Sequence, residues 1–116
     1  MNSKSPKKID FLNYSFKGKL WKDKGKGAWH FITISKKLSN EIRKAHKDSE
    51  EGWGRLKTTA SICETTWNTS MWFDTKAGAY LLPINSTVRK KEKLSDGESI
   101  EVHIEFNLDK WMLNKQ

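Results

Sequence analysis

Alternation of apolar and polar side chains with a period of two runs through most of the chain and predicts a β-rich fold. The pattern is clearest in residues 55–62 and 100–106, where every second side chain is apolar, with Thr58 as the exception, and the side chains between them are polar. Such alternation is typical of strands with one face in a core and the other in water. About six strands are predicted, covering residues 10–21, 28–34, 55–62, 65–73, 80–84 and 100–106.

Two stretches between the strands lose this period and predict short helices. In residues 35–47, apolar side chains recur at spacings of four and three, and Ser39 is the expected N-cap. A second helical turn is expected to be capped by Asn85 or Ser86. Regular strands joined by short turns favour a small closed β-barrel, because an open sheet of this size leaves two edges unpaired.

A motif in the first half of the chain recurs, with gaps, about fifty residues later. Residues 34–35 and 42–44 return as residues 82–83 and 88–90, and a glycine and an alternating strand follow each copy. The repeat indicates two similar halves related by a pseudo-twofold axis. Outside the barrel, which we place at residues 9–107, residues 1–8 are predicted to be a disordered basic tail and residues 108–116 a C-terminal tail.

Composition supports one folded domain with a basic surface. The chain has 116 residues, and 22 Lys and Arg against 14 Asp and Glu give a net charge of +8. Six Trp, five Phe and two Tyr supply rings that a disordered chain lacks. A single cysteine permits no internal disulfide, and no apolar stretch predicts a signal peptide or a membrane span. We therefore expect a cytoplasmic protein without a membrane partner.

No pattern typical of catalysis or of metal binding stands out in the sequence. Cys63 has no second cysteine at a metal or redox spacing, and Ser70 lacks the motif of a nucleophilic serine. Glu101, His103 and Glu105 share one strand face, which is more typical of a solvated outer face than of a metal site. The sequence thus predicts a non-enzymatic binding module that needs no cofactor or metal.

Charge and aromatic rings rank nucleic acid first among the partners. Basic residues cluster in residues 17–26, 36–47 and 89–93, and a continuous basic face neutralises phosphates with release of counterions. Trp21 and Trp72 have the polar parity of their strands, so we expect both rings to be exposed and able to stack on bases. The tryptophans expected in the core are Trp29, Trp53 and Trp67.

A small anionic ligand or a peptide bound at the barrel mouth is the alternative, and a protein-interaction module is a further one. Arg89 could clamp a carboxylate or phosphate there, or it could instead bridge to Asp96 or Glu98. Both binding hypotheses draw on basic, polar and aromatic positions of the strands and the second helix. These candidate residues are Trp21, Arg55, Lys57, Ser70, Trp72, Arg89 and Lys90.

Seven segments of the chain form a combination of motifs with a fixed order: residues 16–21, 29–31, 52–54, 66–70, 80–84, 88–90 and 96–97. In order and spacing, over about residues 11–106, they resemble a family of small bacterial β-barrel domains of unknown function. Some members of that family precede a bacteriocin-protection, OmpD-associated segment.

The resemblance implies a bacterial double-split β-barrel, an architecture shared more distantly with AbrB- and MazE-type barrels. It brings no established activity. Ser35 and Glu98 depart from the family pattern, which usually has proline and aspartate at these positions.

Overall fold

The computed structural model describes residues 13–25 and 27–106, and they form one barrel with two helices. The predictions for residues 1–8 and 108–116 lie outside this range. Two short 3₁₀ turns, Lys47–Ser49 and Gly52–Gly54, lead into the third strand. The main elements are β1 (Asn13–Lys22), β2 (His30–Thr33), α1 (Lys36–His46), β3 (Arg55–Ile62), β4 (Thr65–Asp74), β5 (Ala79–Pro83), α2 (Ser86–Lys91) and β6 (Ser99–Glu105).

The six strands close into an antiparallel barrel in the order β1-β2-β5-β4-β3-β6. This confirms the predicted small closed barrel with two short helices. Closure pairs every strand with two neighbours, so the sheet has no free outer strand in the described part of the chain. None of the described helices has the length and apolar character needed to cross a membrane.

A pseudo-twofold axis relates the two halves of the barrel. Exchanging β1, β2 and β3 with β4, β5 and β6 leaves the order of strand pairs unchanged. Two equivalent backbone hydrogen bonds join the halves: Ile34 N donates to Tyr80 O at 2.9 Å, and Ile84 N donates to His30 O at 2.9 Å. The repeat in the sequence pairs Ile34 with Leu82, whereas the structure makes Ile84 its equivalent, so the predicted register is wrong by two residues.

The core lies inside the barrel, on the strand faces that the alternation predicts. Exposed and buried side chains alternate along β3 and β6. Trp67 and Phe73 are partly buried and pack against this core. Its largest fully buried side chains are Tyr80, Leu20, Ile32, Ile34, Ile42, Leu56, Ile62, Met71, Leu82, Ile84, Ile104 and Val102.

The helix caps differ in part from the sequence prediction. α1 begins after Ser35, whose side chain accepts a hydrogen bond from Leu38 N at 3.2 Å, and not after Ser39. Ser39 is instead fully buried, where it donates to Ile34 O and accepts from the backbone of β5. α2 is capped by Asn85, one of the two residues expected, which accepts from Val88 N at 2.9 Å.

Candidate functional site

Four aromatic rings form a cluster on the outer surface of the barrel. Trp21 is paired in register with Phe31, and both carry the outer parity of their strands. Phe31 contacts Trp21, Trp29 and Trp72 with ring centroids 5.2, 5.9 and 5.6 Å apart, and Trp29 lies 5.4 Å from Trp72. Because three indoles cover it, Phe31 is only 5% exposed although it faces outward. We call these four residues the outer aromatic cluster.

The exposure of the tryptophans corrects the sequence prediction. Trp29, expected in the core, is 47% exposed. It precedes β2 in a turn where Gly27 and Ala28 have positive φ angles of 92° and 52°, so strand parity does not apply to it. Trp21 and Trp72, expected to be exposed, are half-buried within the cluster. The Trp21 indole also donates to Thr33 Oγ1 at 2.9 Å.

Trp67 follows the prediction more closely, since it packs against the core. Its Nε1 is buried without a hydrogen-bond partner in the described residues. The prediction for Trp53 lies outside the side chains that the structure describes.

A cleft of about 550 Å³ lies next to the outer aromatic cluster, between β4 and the start of α2. We call it the Arg89 cleft. It presents two indoles, one guanidinium, one imidazole, three hydroxyl groups and one side-chain amide, and no carboxylate belongs to its described lining. The lining residues are Gly27, Ala28, Trp29, His30, Thr69, Ser70, Trp72, Pro83, Ile84, Asn85, Ser86 and Arg89.

Incomplete pairing of β4 with β5 opens this cleft. The two strands pair only at Trp72, Phe73 and Asp74, so β4 separates from β5 before Trp72 and leaves Thr69 and Ser70 at the cleft wall. Pseudo-twofold symmetry places Gly18 of β1 at the position equivalent to Thr69.

At the equivalent point in the first half of the barrel, where the pairing of β1 with β2 ends, the two strands pack closely. A Cβ on Gly18 would lie 2.6 Å from Ile32 Cγ2 and 3.2 Å from Thr33 O. Glycine therefore permits the two strands to approach. The two halves therefore differ at this position, where β1 has a glycine against β2 and β4 has Thr69 in the wall of the cleft.

Arg89 is fixed in the wall of the cleft by one hydrogen bond. Its Nη1 donates to Ile84 O at 2.7 Å. The predicted bridge to Asp96 or Glu98 is wrong. Asp96 contacts His30 Nε2 at 3.1 Å, and Glu98 accepts from a backbone N–H of its own turn. Arg89 pairs with no carboxylate in residues 13–25 and 27–106, so its remaining N–H groups can bind an anion.

The other basic candidates lie outside the cleft. Arg55 and Lys57 are paired in register with Trp72 and Ser70, but their charged groups lie 3.8 and 3.6 Å from the carboxylate of Glu51. Glu51 therefore offsets part of their charge.

Lys90 is exposed on α2 and does not line the cleft either. The sequence named seven candidates, and the cleft brings together three of them, Ser70, Trp72 and Arg89. The other lining residues were not among the candidates, and Trp29 and His30 are the two of these that carry aromatic rings. The glycine-rich turn before Trp29 was the available signal.

A buried polar contact anchors the loop that leads into β3. Tyr80 is fully buried and its hydroxyl donates to Glu50, whose carboxylate also lies 3.5 Å from Arg43 Nε. The Arg43 guanidinium stacks 3.9 Å from the centroid of the Phe73 ring. Burial, together with this hydrogen bond, raises the pKa of Tyr80. The contact holds α1 and the loop against β4 and β5.

Cys63 lies far from the aromatic cluster, in a turn with a φ of 51°. It lines a cleft of about 460 Å³ that also contains Glu92, Glu98 and Glu101. The neighbouring Glu92 carboxylate is the main cause of the raised pKa of the Cys63 thiol. A raised pKa disfavours the nucleophilic thiolate.

His103 makes hydrogen bonds to Ser15 and Asn13, each at 3.1 Å. Across residues 13–25 and 27–106, no three His, Cys, Asp or Glu side chains come together as a metal ion requires.

The fold defines the class to which the chain belongs: small, closed, antiparallel β-barrels with two helices. A family model described as a domain of unknown function, DUF1905, matches residues 16–104. Since the match covers most of the chain, the protein belongs to this family, as the sequence motifs had indicated. A search of curated proteins finds no match to the chain.

Proposed function

We propose that the protein is a non-enzymatic binding module of the bacterial cytoplasm that holds single-stranded nucleic acid in the Arg89 cleft. One observation carries the proposal: a guanidinium without a carboxylate partner in the described residues stands beside two indoles, Trp29 and Trp72, in one open cleft. Stacking of bases on aromatic side chains and pairing of phosphate with arginine are the two contacts that single strands need.

The charge of the whole chain supports the same partner. A net charge of +8 attracts a polyanion and favours counterion release on binding. In this proposal, Arg89 contacts a phosphate, and Trp29, which is 47% exposed, stacks on a base; both residues line the cleft. Ser70 and Ser86 add hydroxyl groups for sugar or phosphate oxygens.

The experiment is a titration of a labelled single-stranded oligonucleotide, followed by fluorescence anisotropy at low and rising salt. We expect binding that weakens steeply as salt rises. Trp29→Ala should weaken it roughly tenfold, because a stacked base contributes about 1–3 kcal/mol. Absence of binding at low salt would reject the proposal.

A matched pair of charge variants tests the cleft itself. Arg89→Gln and Lys44→Gln remove the same charge, but Lys44 is exposed on α1 and does not line the cleft. We expect a clearly larger loss of affinity for Arg89→Gln, with melting temperatures confirming that both variants fold. Equal losses would show that only net charge matters.

A small anionic ligand with a planar ring is the second candidate. The cleft volume of about 550 Å³ suits a single ligand of this kind, since small-molecule sites span about 300–1,000 Å³. Titration with nucleoside monophosphates separates the two functions. A monophosphate that binds as tightly as the oligonucleotide favours the small ligand.

A further inference from the structure

Trp72 separates the Arg89 cleft from a second cleft on the same outer face. The second cleft, of about 600 Å³, is lined by Arg55, Trp72, Phe73, Asp74 and Leu81. Trp72 and Asp74 are two residues apart on β4, so their side chains lie on the same face of the strand. We call this second space the Asp74 cleft.

The two clefts differ in charge. Asp74 is the one acidic residue in the described lining of the second cleft, whereas that of the first contains none. Asp74 Oδ1 accepts from Lys76 N at 3.1 Å, and no other partner of this carboxylate is found in the described residues. Arg55 is drawn toward the preceding loop, where Nε donates to Gly52 O at 3.3 Å and Nη2 lies 3.8 Å from Glu51.

This difference sets the direction in which a nucleotide can lie across Trp72. In the second cleft, the Asp74 carboxylate repels a phosphate, and the charge of Arg55 is partly offset by Glu51. Arg89 pairs with no carboxylate in the described residues, so the phosphate is held better in the Arg89 cleft. A base on the other side of Trp72 meets the Asp74 carboxylate, which in its ionised form accepts hydrogen bonds and donates none. This carboxylate pairs with an exocyclic amino group of the base and repels a carbonyl oxygen at the same position.

We propose that the Asp74 cleft selects bases carrying an amino group, and so binds cytosine in preference to uracil. The inference rests on the proposed function, because it requires a nucleic acid whose phosphate lies near Arg89. Cytosine and uracil give the sharpest comparison, since they have the same ring size and differ in the group at position 4. The N4 amino group of cytosine donates to a carboxylate, whereas O4 of uracil accepts.

The test compares deoxycytidine and deoxyuridine homo-oligomers of equal length at one salt concentration. We expect the cytidine oligomer to bind about tenfold more tightly, the lower range of discrimination for a good base contact. Asp74→Asn should bring the two affinities within about twofold of each other, because an amide both donates and accepts. It should do so chiefly by raising the affinity for the uridine oligomer.

Asp23→Asn is the matched control. Asp23 is the pseudo-twofold equivalent of Asp74, because it lies two residues after Trp21 as Asp74 lies two residues after Trp72. Its carboxylate likewise accepts from the backbone N–H two residues later, that of Gly25, at 3.0 Å. It lines neither cleft. The cytidine preference should therefore survive in this variant, although the same charge is removed.

The outcomes separate this inference from the proposed function. Equal binding of both oligomers by the unaltered protein overturns base selection but leaves nucleic-acid binding intact. A preference that persists in Asp74→Asn overturns the role of Asp74. Failure of both oligomers to bind overturns the proposed function and this inference together.

Discussion

Ser39 and Arg89 occupy equivalent positions in the two halves of the barrel. Each lies four residues after a helix cap and donates to the carbonyl just before that cap, Ser39 to Ile34 O at 3.2 Å and Arg89 to Ile84 O at 2.7 Å. One half thus satisfies the carbonyl with a short, buried hydroxyl, and the other with a long cation that reaches the cleft. The equivalent hydrogen bonds therefore leave a charged group at the surface in only one half of the barrel, at Arg89.

The two donors should differ in their effect on stability. Ser39→Ala removes the partner of two buried backbone groups, Ile34 O and Tyr80 N, and should lower the free energy of unfolding by about 1–3 kcal/mol. Arg89→Ala should lower it by about 1 kcal/mol or less, because water can replace a half-buried donor. Urea denaturation of both variants checks this order, and a larger loss for Arg89→Ala would contradict it.

Gly18 should be intolerant of any side chain. Gly18→Ala places a Cβ 2.6 Å from Ile32 Cγ2 inside the barrel, and the resulting overpacking should lower the free energy of unfolding by about 1–3 kcal/mol. Lys19→Ala, at the exposed neighbouring position, is the control and should change stability little. A neutral Gly18→Ala would show that β1 and β2 have room for a side chain at this position.

Strand alternation explains why the barrel could be predicted from the sequence. The inward positions of β3 and β6 are apolar except for Thr58, whose buried hydroxyl donates to Glu105 O at 2.9 Å. Pro83 ends β5, as expected of a residue without an N–H. The candidate site was predictable only in part. Ser70, Trp72 and Arg89 were identified, because their strand parity and charge could be read from the sequence.

The rest of the site depends on tertiary contacts that no local pattern encodes. Trp29 was misplaced because it lies before the strand, and the covering of Phe31 by three indoles comes from separate parts of the chain. The partner of Arg89 was missed because a backbone carbonyl leaves no signature in the sequence.

Glu92 should control the reactivity of Cys63. Its carboxylate is the main cause of the raised thiol pKa, so Glu92→Gln should lower that pKa and speed alkylation by iodoacetamide at neutral pH. Glu64→Gln, a lesser contributor in the adjacent position, should speed it less. The measurement is the alkylation rate followed by mass spectrometry, and an unchanged rate in Glu92→Gln would contradict the electrostatic explanation.

Tyr80 should make stability fall at alkaline pH. Its pKa in the folded protein is raised above the ordinary value of about 10, so the unfolded chain loses this proton first. The contribution of the protonated Tyr80 hydroxyl to the free energy of unfolding is therefore fully present below about pH 10 and is lost as the pH rises above it. Denaturation midpoints between neutral and strongly alkaline pH should fall less steeply in Tyr80→Phe; an identical slope would contradict this assignment.

The most direct test of the proposed binding site is an NMR titration of the indole N–H signals with a single-stranded oligonucleotide. The account predicts that the signals of Trp29 and Trp72, which line the Arg89 cleft, shift as the oligonucleotide is added. The signal of Trp67, whose Nε1 is buried, should stay in place. Unchanged signals for Trp29 and Trp72, with shifts confined to other parts of the barrel, would contradict it.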